Sequence, residues 1–225
     1  MPLYQAARIE VLDELVNEVL RFYGRGRTIV AIDGVDGAGK SRFAADFAER
    51  FRKAGHTAFT ASMDAFRNQR EVRYAQGRMS ALGCYEDSYD YDAFKRVLIE
   101  PFRMGGSTGF NTEYFDLDRD ALVVDPTWHT AGADAVLIVE GVFLMRPELR
   151  TLWHWSLWLE ADPAVALQRI ALRYGTNADP EDAFNRRHLG AQEIYQQRCD
   201  PRRKVDATVD NTDPAHPRRI FSDAC

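Results

Sequence analysis

The sequence predicts an α/β fold, a doubly wound sheet of five parallel strands with helices on both faces. Three observations carry that expectation. Short apolar runs alternate with helix-period segments along the chain. The runs are continuously hydrophobic, as strands covered on both faces require. A glycine-rich turn joins the first run to an amphipathic helix.

The elements follow in order. Ile9, Leu12, Leu15, Val16, Val19 and Phe22 recur near helical spacing, and Gly24 and Gly26 end this N-terminal helix within residues 1–26. Thr28–Asp33 reads as a buried strand. A helix runs from about Lys40 to Lys53 with Phe43, Phe47 and Phe51 on one side, and Gly55 closes it. A second strand falls at Thr57–Ser62. Residues 66–91 are polar and arginine-rich, a loop with a short helix. Asp92–Glu100 reads as a helix stopping at Pro101, and Gly105-Gly106-Ser107 as a turn. Ala135–Val139 is a strand ending in Glu140-Gly141, followed by a short helix at Pro147–Leu152 and a strand at Trp155–Glu160. Strand alternation sets Trp153 and Trp155 on one face and Trp158 on the other. Asp162-Pro163 opens a helix to about Tyr174, with an acidic cap before a first-turn proline. A further helix spans roughly Pro180–Arg198, and Ala207–Asp210 is the last strand. No linker demands a second domain, so residues 1–225 read as one.

Composition narrows the function. The 225 residues hold 29 Lys plus Arg against 34 Asp plus Glu, a net charge of −5. That balance argues against a nucleic-acid polymer as partner, since such binding rests on many cationic phosphate contacts. No apolar run reaches the ~18 residues of a membrane-spanning helix, and the first residues lack the layout of a secretory signal. Cys84, Cys199 and Cys225 form neither a disulfide framework nor a metal pattern, and they suit a reducing cytoplasm.

The strongest signal is Gly34-Val35-Asp36-Gly37-Ala38-Gly39-Lys40-Ser41, which fits G-x-x-x-x-G-K-[ST] between a strand and a helix. Its glycines let backbone N–H groups turn toward phosphate oxygens, and the helix start adds the positive end of its dipole. Lys40 is expected to reach the β- and γ-phosphates of a nucleoside triphosphate, ATP, and Ser41 to ligate Mg²⁺. Phosphoryl transfer, a hydrolytic switch and nucleotide sensing all use such a loop. No Asn-Lys-x-Asp guanine reader occurs, and 225 residues are few for a mechanical ATPase. Transfer to a small-molecule acceptor is therefore favoured.

A kinase of that kind needs a group that orients a hydroxyl and accepts its proton. Asp64 follows the second strand, and ligands of open parallel sheets sit beyond the carboxyl ends of strands. Glu140 ends a later strand, where it can hold Mg²⁺ and help fix the attacking group; Asp64 joins Ser41 and Glu140 in the expected metal environment. Arg169 and Arg173 lie four apart, on one helix face, and can clamp transferring phosphate. Arg186 and Arg187 follow. Arg67, Arg70, Arg73 and Arg78 can contact an acidic acceptor or form an exposed basic loop. Asp90 can bind sugar hydroxyls or cap a helix, and Tyr89 and Tyr91 can wall a ring or pack. His129, His154, His188 and His216 read as structural.

Taken together, the phosphate loop, Met63-Asp64-Ala65-Phe66-Arg67, Tyr89-Asp90-Tyr91-Asp92-Ala93-Phe94, Tyr114-Phe115-Asp116, Val139-Glu140-Gly141-Val142-Phe143 and the arginine-bearing helix 162–174 resemble the uridine kinase family of P-loop small-molecule kinases. That family is related to phosphoribulokinase and bacterial pantothenate kinase. The resemblance covers about residues 28–210. It implies Asp64 as catalytic base, Glu140 as a Mg²⁺-linked acid, a small helical lid over about residues 169–200 closing through Arg169 and Arg173, and a nucleoside as acceptor. Phe115-Asp116-Leu117-Asp118-Arg119 lacks the histidine with which uridine and cytidine kinases read the pyrimidine, so a phosphorylated sugar, a pantothenate-like acid or a nucleoside monophosphate stands as the alternative acceptor, and a non-catalytic nucleotide-binding regulator as the alternative function. The wording of Asp33–Ser41 is nearer thymidylate kinases, whose downstream motifs are not followed.

Overall fold

The computed structural model describes residues 3–221, with side chains from residue 7 onward; Met1, Pro2 and Cys225 lie outside it. The chain enters with α1 (Leu3–Tyr23), β1 (Thr28–Gly34), α2 (Lys40–Lys53) and β2 (Ala58–Ser62). A 3₁₀ turn at Met63–Phe66 leads to α3 (Arg70–Arg73), α4 (Ala81–Glu86), α5 (Tyr91–Phe94) and α6 (Glu100–Met104). Four short strands follow, β3 (Gly109–Asn111), β4 (Phe115–Asp116), β5 (Ala121–Leu122) and β6 (Trp128–Thr130). Then come β7 (Val136–Glu140), β8 (Trp155–Glu160), α7 (Pro163–Tyr174), α8 (Ala183–Cys199), β9 (Ala207–Asp210) and β10 (Arg218–Ile220).

The main sheet runs β10-β9-β8-β1-β7-β2. The five predicted strands are its parallel members, and β10 pairs antiparallel to β9 as an unpredicted sixth. β1 alternates between two cores, as a period of two demands. Val30 and Ile32 pack with Phe43, Phe47, Phe51 and the α1 residues Leu12, Leu15, Val16 and Val19. Ile29 and Ala31 face the opposite core with Phe66, Phe94, Leu98, Phe102 and Tyr195.

Several expectations are corrected. The helix expected to stop at Pro101 continues to Met104, because a π-turn at Lys95–Ile99 widens the helix just before the proline. Pro101 then sits in the first turn of α6, where an N–H is dispensable. The short helix at 147–152 is only a 3₁₀ turn at Arg150–Leu152. Trp153 precedes β8, so strand alternation does not govern it; it packs on the core of Trp158, and Trp155 faces the other. The helix expected from Pro180 begins at Ala183, with Asp182 accepting from Phe184 N. The loop at 105–130 carries two small antiparallel ladders, β3–β6 and β4–β5, whose two- and three-residue strands are too short to show a period.

The last residue but one of β1 is Asp33, whose side chain is wholly buried. Its Oδ1 accepts from Gly34 N at 2.7 Å, and its Oδ2 accepts from Met145 N at 3.2 Å and from the Tyr195 hydroxyl. Burial pushes this carboxyl up from 3.8 to about 6, against the opposing pull of Tyr195, Gly34 and the Lys40 charge. The folded protein thus holds the proton more tightly than the unfolded chain. The resulting stabilisation is complete below pH 3.8 and lost as the pH rises through about 6. Its size is about 3 kcal/mol. Urea unfolding at pH 4 and pH 7 checks this: the wild type is expected to lose about 2 kcal/mol more than Asp33→Asn over that interval, and equal losses would refute it.

Candidate active site

The carboxyl ends of β1, β7 and β2 lie side by side, with Ile32 opposite Glu140 and Glu140 opposite Ser62. The chain departs β1 toward β2, returns to β7 between them, and crosses to β8 on the far side of β1. The phosphate loop therefore opens at the switch point of the sheet. Two of its glycines are dictated by close approach as well as by dihedral angle. Gly34 has φ 150° and a Cβ there would lie 2.0 Å from Leu159 O; Gly37 has φ 76° and a Cβ would lie 2.3 Å from Ala166 O.

The loop borders a cavity of about 920 Å³ that also receives Asp64, Arg67, Cys84, Tyr89, Glu140 and residues of α7 and α8. Asp36, Gly37, Gly39, Lys40, Ser41, Asp64, Glu140, Arg169 and Arg173 all line it. Gly34 and Ala38 act from behind: Gly34 lies against β8, and the Ala38 methyl is buried in the core with Phe43. Lys40 Nζ donates to Gly34 O at 3.1 Å and Val35 O at 2.9 Å and lies 3.9 Å from Asp36 Oδ1.

Ser41 Oγ donates to Glu140 Oε1 at 3.0 Å, so two of the three residues expected at the metal converge, and the third, Asp64, lines the same cavity. A hydroxyl and a carboxylate are hard oxygen donors, and Mg²⁺ commonly takes only one or two protein oxygens beside substrate phosphates. The donor set fits that ion.

Asp64 sits in the 3₁₀ turn after β2, whose start is capped by Ser62 Oγ accepting from Asp64 N at 3.3 Å. Its Oδ1 accepts from Arg67 Nη2 at 2.7 Å and from the Tyr89 hydroxyl at 3.1 Å. Its Oδ2 has no donor among the described residues. One oxygen is thus anchored and the other is free for a substrate hydroxyl. Burial works to raise the Asp64 pKa, but the Arg67 ion pair, the Tyr89 hydroxyl and the Lys40 charge outweigh it and hold the carboxyl below its ordinary value.

The two helix arginines part company. Arg169 donates to Gly37 O at 3.2 Å, Asn211 O at 3.3 Å and Thr212 O at 2.7 Å, so its planar fork ties the loop to the end of β9. Arg173, one turn later, is exposed at the cavity wall over the Tyr174 ring at 5.3 Å. Asn211 is a second tie, donating from Nδ2 to Ala38 O at 2.6 Å.

Asp90 proves to be the cap of α5, accepting from Ala93 N at 2.8 Å. Tyr89 lines the cavity and its hydroxyl anchors Asp64. His188, expected to be structural, lies in the cavity with Nδ1 3.9 Å from Asp36 Oδ2 and 4.0 Å from Cys84 Sγ. Burial lowers its pKa, with Asp36 opposing. Nothing in the sequence around His188 marks it, because its neighbours come from the phosphate loop and from α4.

A phosphate loop at the switch point of a parallel sheet, covered by helices beyond β8, defines the P-loop class of nucleotide-binding folds. Comparison with solved structures gives the same fold. A possible uridine kinase from Bacillus stearothermophilus matches with a TM-score of 0.70 at 20% identity, over 89% of this chain and 97% of that one. Phosphoribulokinase from Rhodobacter spheroides matches with a TM-score of 0.54 at 16% identity, over 82% of this chain and 70% of that one. D-glycerate 3-kinase from Cryptococcus neoformans matches at 0.56 and 9% identity, over 84% and 87%. The fold is thus shared with the uridine kinase-like group. No family model matches the chain, and no curated protein matches its sequence.

The loop geometry predicts the effect of one added methyl. Gly37→Ala is expected to weaken binding of a non-hydrolysable ATP analogue by more than about tenfold, since φ and space both forbid a Cβ. Calorimetric titration beside wild-type circular dichroism checks it, and unchanged affinity would refute it.

Proposed function

We propose that the protein is an ATP-dependent kinase that phosphorylates a hydroxyl of a small metabolite. The observation that carries this reading is Asp64: a carboxylate with one oxygen anchored and the other free, in one cavity with a phosphate loop. A free carboxylate oxygen so placed can orient a hydroxyl toward the terminal phosphate of a bound nucleotide. The kinase names of the structural neighbours agree with it.

In the proposed reaction the acceptor hydroxyl donates to Asp64 Oδ2. Its oxygen attacks the γ-phosphorus in line, the bond from that phosphorus to the β,γ-bridging oxygen breaks, and ADP leaves. The hydroxyl proton passes to Asp64. Because Arg67 and Tyr89 keep Asp64 weakly basic, its main task is orientation, with proton transfer late, as a loose transition state permits. Lys40 leaves the loop carbonyls to bind the β- and γ-phosphates. Mg²⁺, held through Ser41 and Glu140, would neutralise developing charge on the phosphate oxygens. Arg169 keeps the loop in shape, and Arg173 is free to approach the transferred group as α7 and α8 close and exclude water. A nucleoside is one member of this acceptor class.

Asp64→Asn is expected to lower kcat by about 10²- to 10⁴-fold while ATP affinity stays within about threefold. Full activity in that variant would remove Asp64 from the chemistry. Tight ATP binding with no product from any acceptor would instead make the protein a nucleotide-binding regulator.

Arg67→Gln removes the partner that holds the Asp64 pKa down, and burial then raises it. The acid limb of kcat/KM should move to higher pH in this variant. A pH–rate profile with an unshifted limb would show that Asp64 does not titrate in the reaction.

A further inference from the structure

Arg187 is buried without a counter-charge. It is on α8, one residue before His188 of the cavity wall, and is only 8% exposed. Among the described residues it makes no ion pair, and its Nε has no hydrogen-bond partner. Its guanidinium lies over the face of Tyr74, 5.2 Å from the ring centroid. Buried arginines are ordinarily matched by a carboxylate, and a tyrosine ring replaces only part of that attraction.

The same ring holds two more guanidinium groups, Arg73 at 5.4 Å and Arg78 at 6.0 Å. Arg73 is 6% exposed; it pairs through Nη2 with Asp120 Oδ1 at 2.7 Å, yet its Nε is unpartnered. Arg67 likewise reaches Asp64 through Nη2 and leaves Nε unmet. The ion pairs of these four arginines use Asp64 and Asp120, and Arg78 and Arg187 remain unmatched. Arg67 lines the cavity, and Arg187 directly precedes the lining residue His188 on α8. Cys84 lines that cavity, and although burial raises its thiol pKa, Arg187 and Arg67 pull it down, so their field reaches the wall.

We propose that Arg187, with Arg73 and Arg78 around Tyr74, forms an anion subsite beside the acceptor cavity, and that the phosphate acceptor carries a carboxylate or phosphate bound there while its hydroxyl meets Asp64. The proposal rests on the kinase reading and names its substrate class. An acidic acceptor supplies the charge that the protein withholds from Arg187, and a guanidinium fork is suited to a planar carboxylate or to two phosphate oxygens.

The test uses matched acceptors with ATP and Mg²⁺: a sugar, its sugar acid and its phosphate; glycerol, glycerate and glycerol phosphate; uridine and uridine monophosphate. An acidic member should exceed its neutral partner by about 100-fold or more in kcat/KM, and the carboxylate and phosphate arms separate the two sources. Equal or better use of the neutral members overturns the proposal. Arg187→Gln should raise KM for the acidic acceptor by about 10- to 100-fold, with ATP KM and kcat nearly unchanged and part of the loss recovered by Arg187→Lys. A purely structural role would show instead as a fall in kcat or thermal stability without this split, and would overturn it. A second arm needs no turnover. With the phosphate loop filled by a non-hydrolysable ATP analogue and Mg²⁺, inorganic phosphate should bind the wild type about tenfold or more tighter than Arg187→Gln. Equal binding refutes the subsite whatever the reaction; retained binding with no turnover of any acceptor refutes the kinase reading alone.

Discussion

A carboxyl group without solvent access stands where β1 becomes the phosphate loop, and much of the molecule is arranged around it. Asp33 receives Gly34 N from the loop, Met145 N from the segment after β7 and the Tyr195 hydroxyl from α8. Three separate pieces of chain are thereby brought to one point beneath the phosphate loop. Met145 N also donates to the Tyr195 hydroxyl at 2.8 Å, so loss of Asp33 would leave Gly34 N and the Tyr195 hydroxyl as the donors without this acceptor. The central sheet sets the direction of the loop, and this buried group sets where the covering helix is rooted.

From the outer side the loop is restrained by a different set of bonds. Arg169 and Asn211 hold the loop carbonyls of Gly37 and Ala38, and Arg169 ties them to the carbonyls of Asn211 and Thr212 after β9. Such preorganisation is worth most where charge develops, because it costs no rearrangement during the reaction. The same logic holds at Asp64, fixed by Arg67 and Tyr89 before any substrate arrives.

Much of this was legible in the sequence, and for identifiable reasons. The phosphate loop is contiguous, so its glycines, Lys40 and Ser41 declare themselves together. Asp64 and Glu140 are marked by position, since each follows an apolar run that can only be a buried strand. The five parallel strands were legible from the same runs. Tyr89, His188 and Arg187 were not, because their roles depend on side chains far away in the chain: Asp64 for Tyr89, Asp36 for His188 and Tyr74 for Arg187. Arg169 was found but its partners were not, for backbone carbonyls leave no trace in a sequence. The continuation through Pro101 was hidden by a rule that holds for α-turns and lapses beside a π-turn.

The amide of Asn211 joins the phosphate loop to the far end of the chain, and Arg8 joins it to the near end. Arg8 pairs with Asp46 on α2 at 2.9 Å and donates to Asn211 Oδ1 at 3.3 Å, while Asn211 donates to Ala38 O. During synthesis, residues 34–41 emerge early, yet their outer brace waits for more than 160 further residues. A nascent chain therefore carries the motif long before residue 211 is present to brace it.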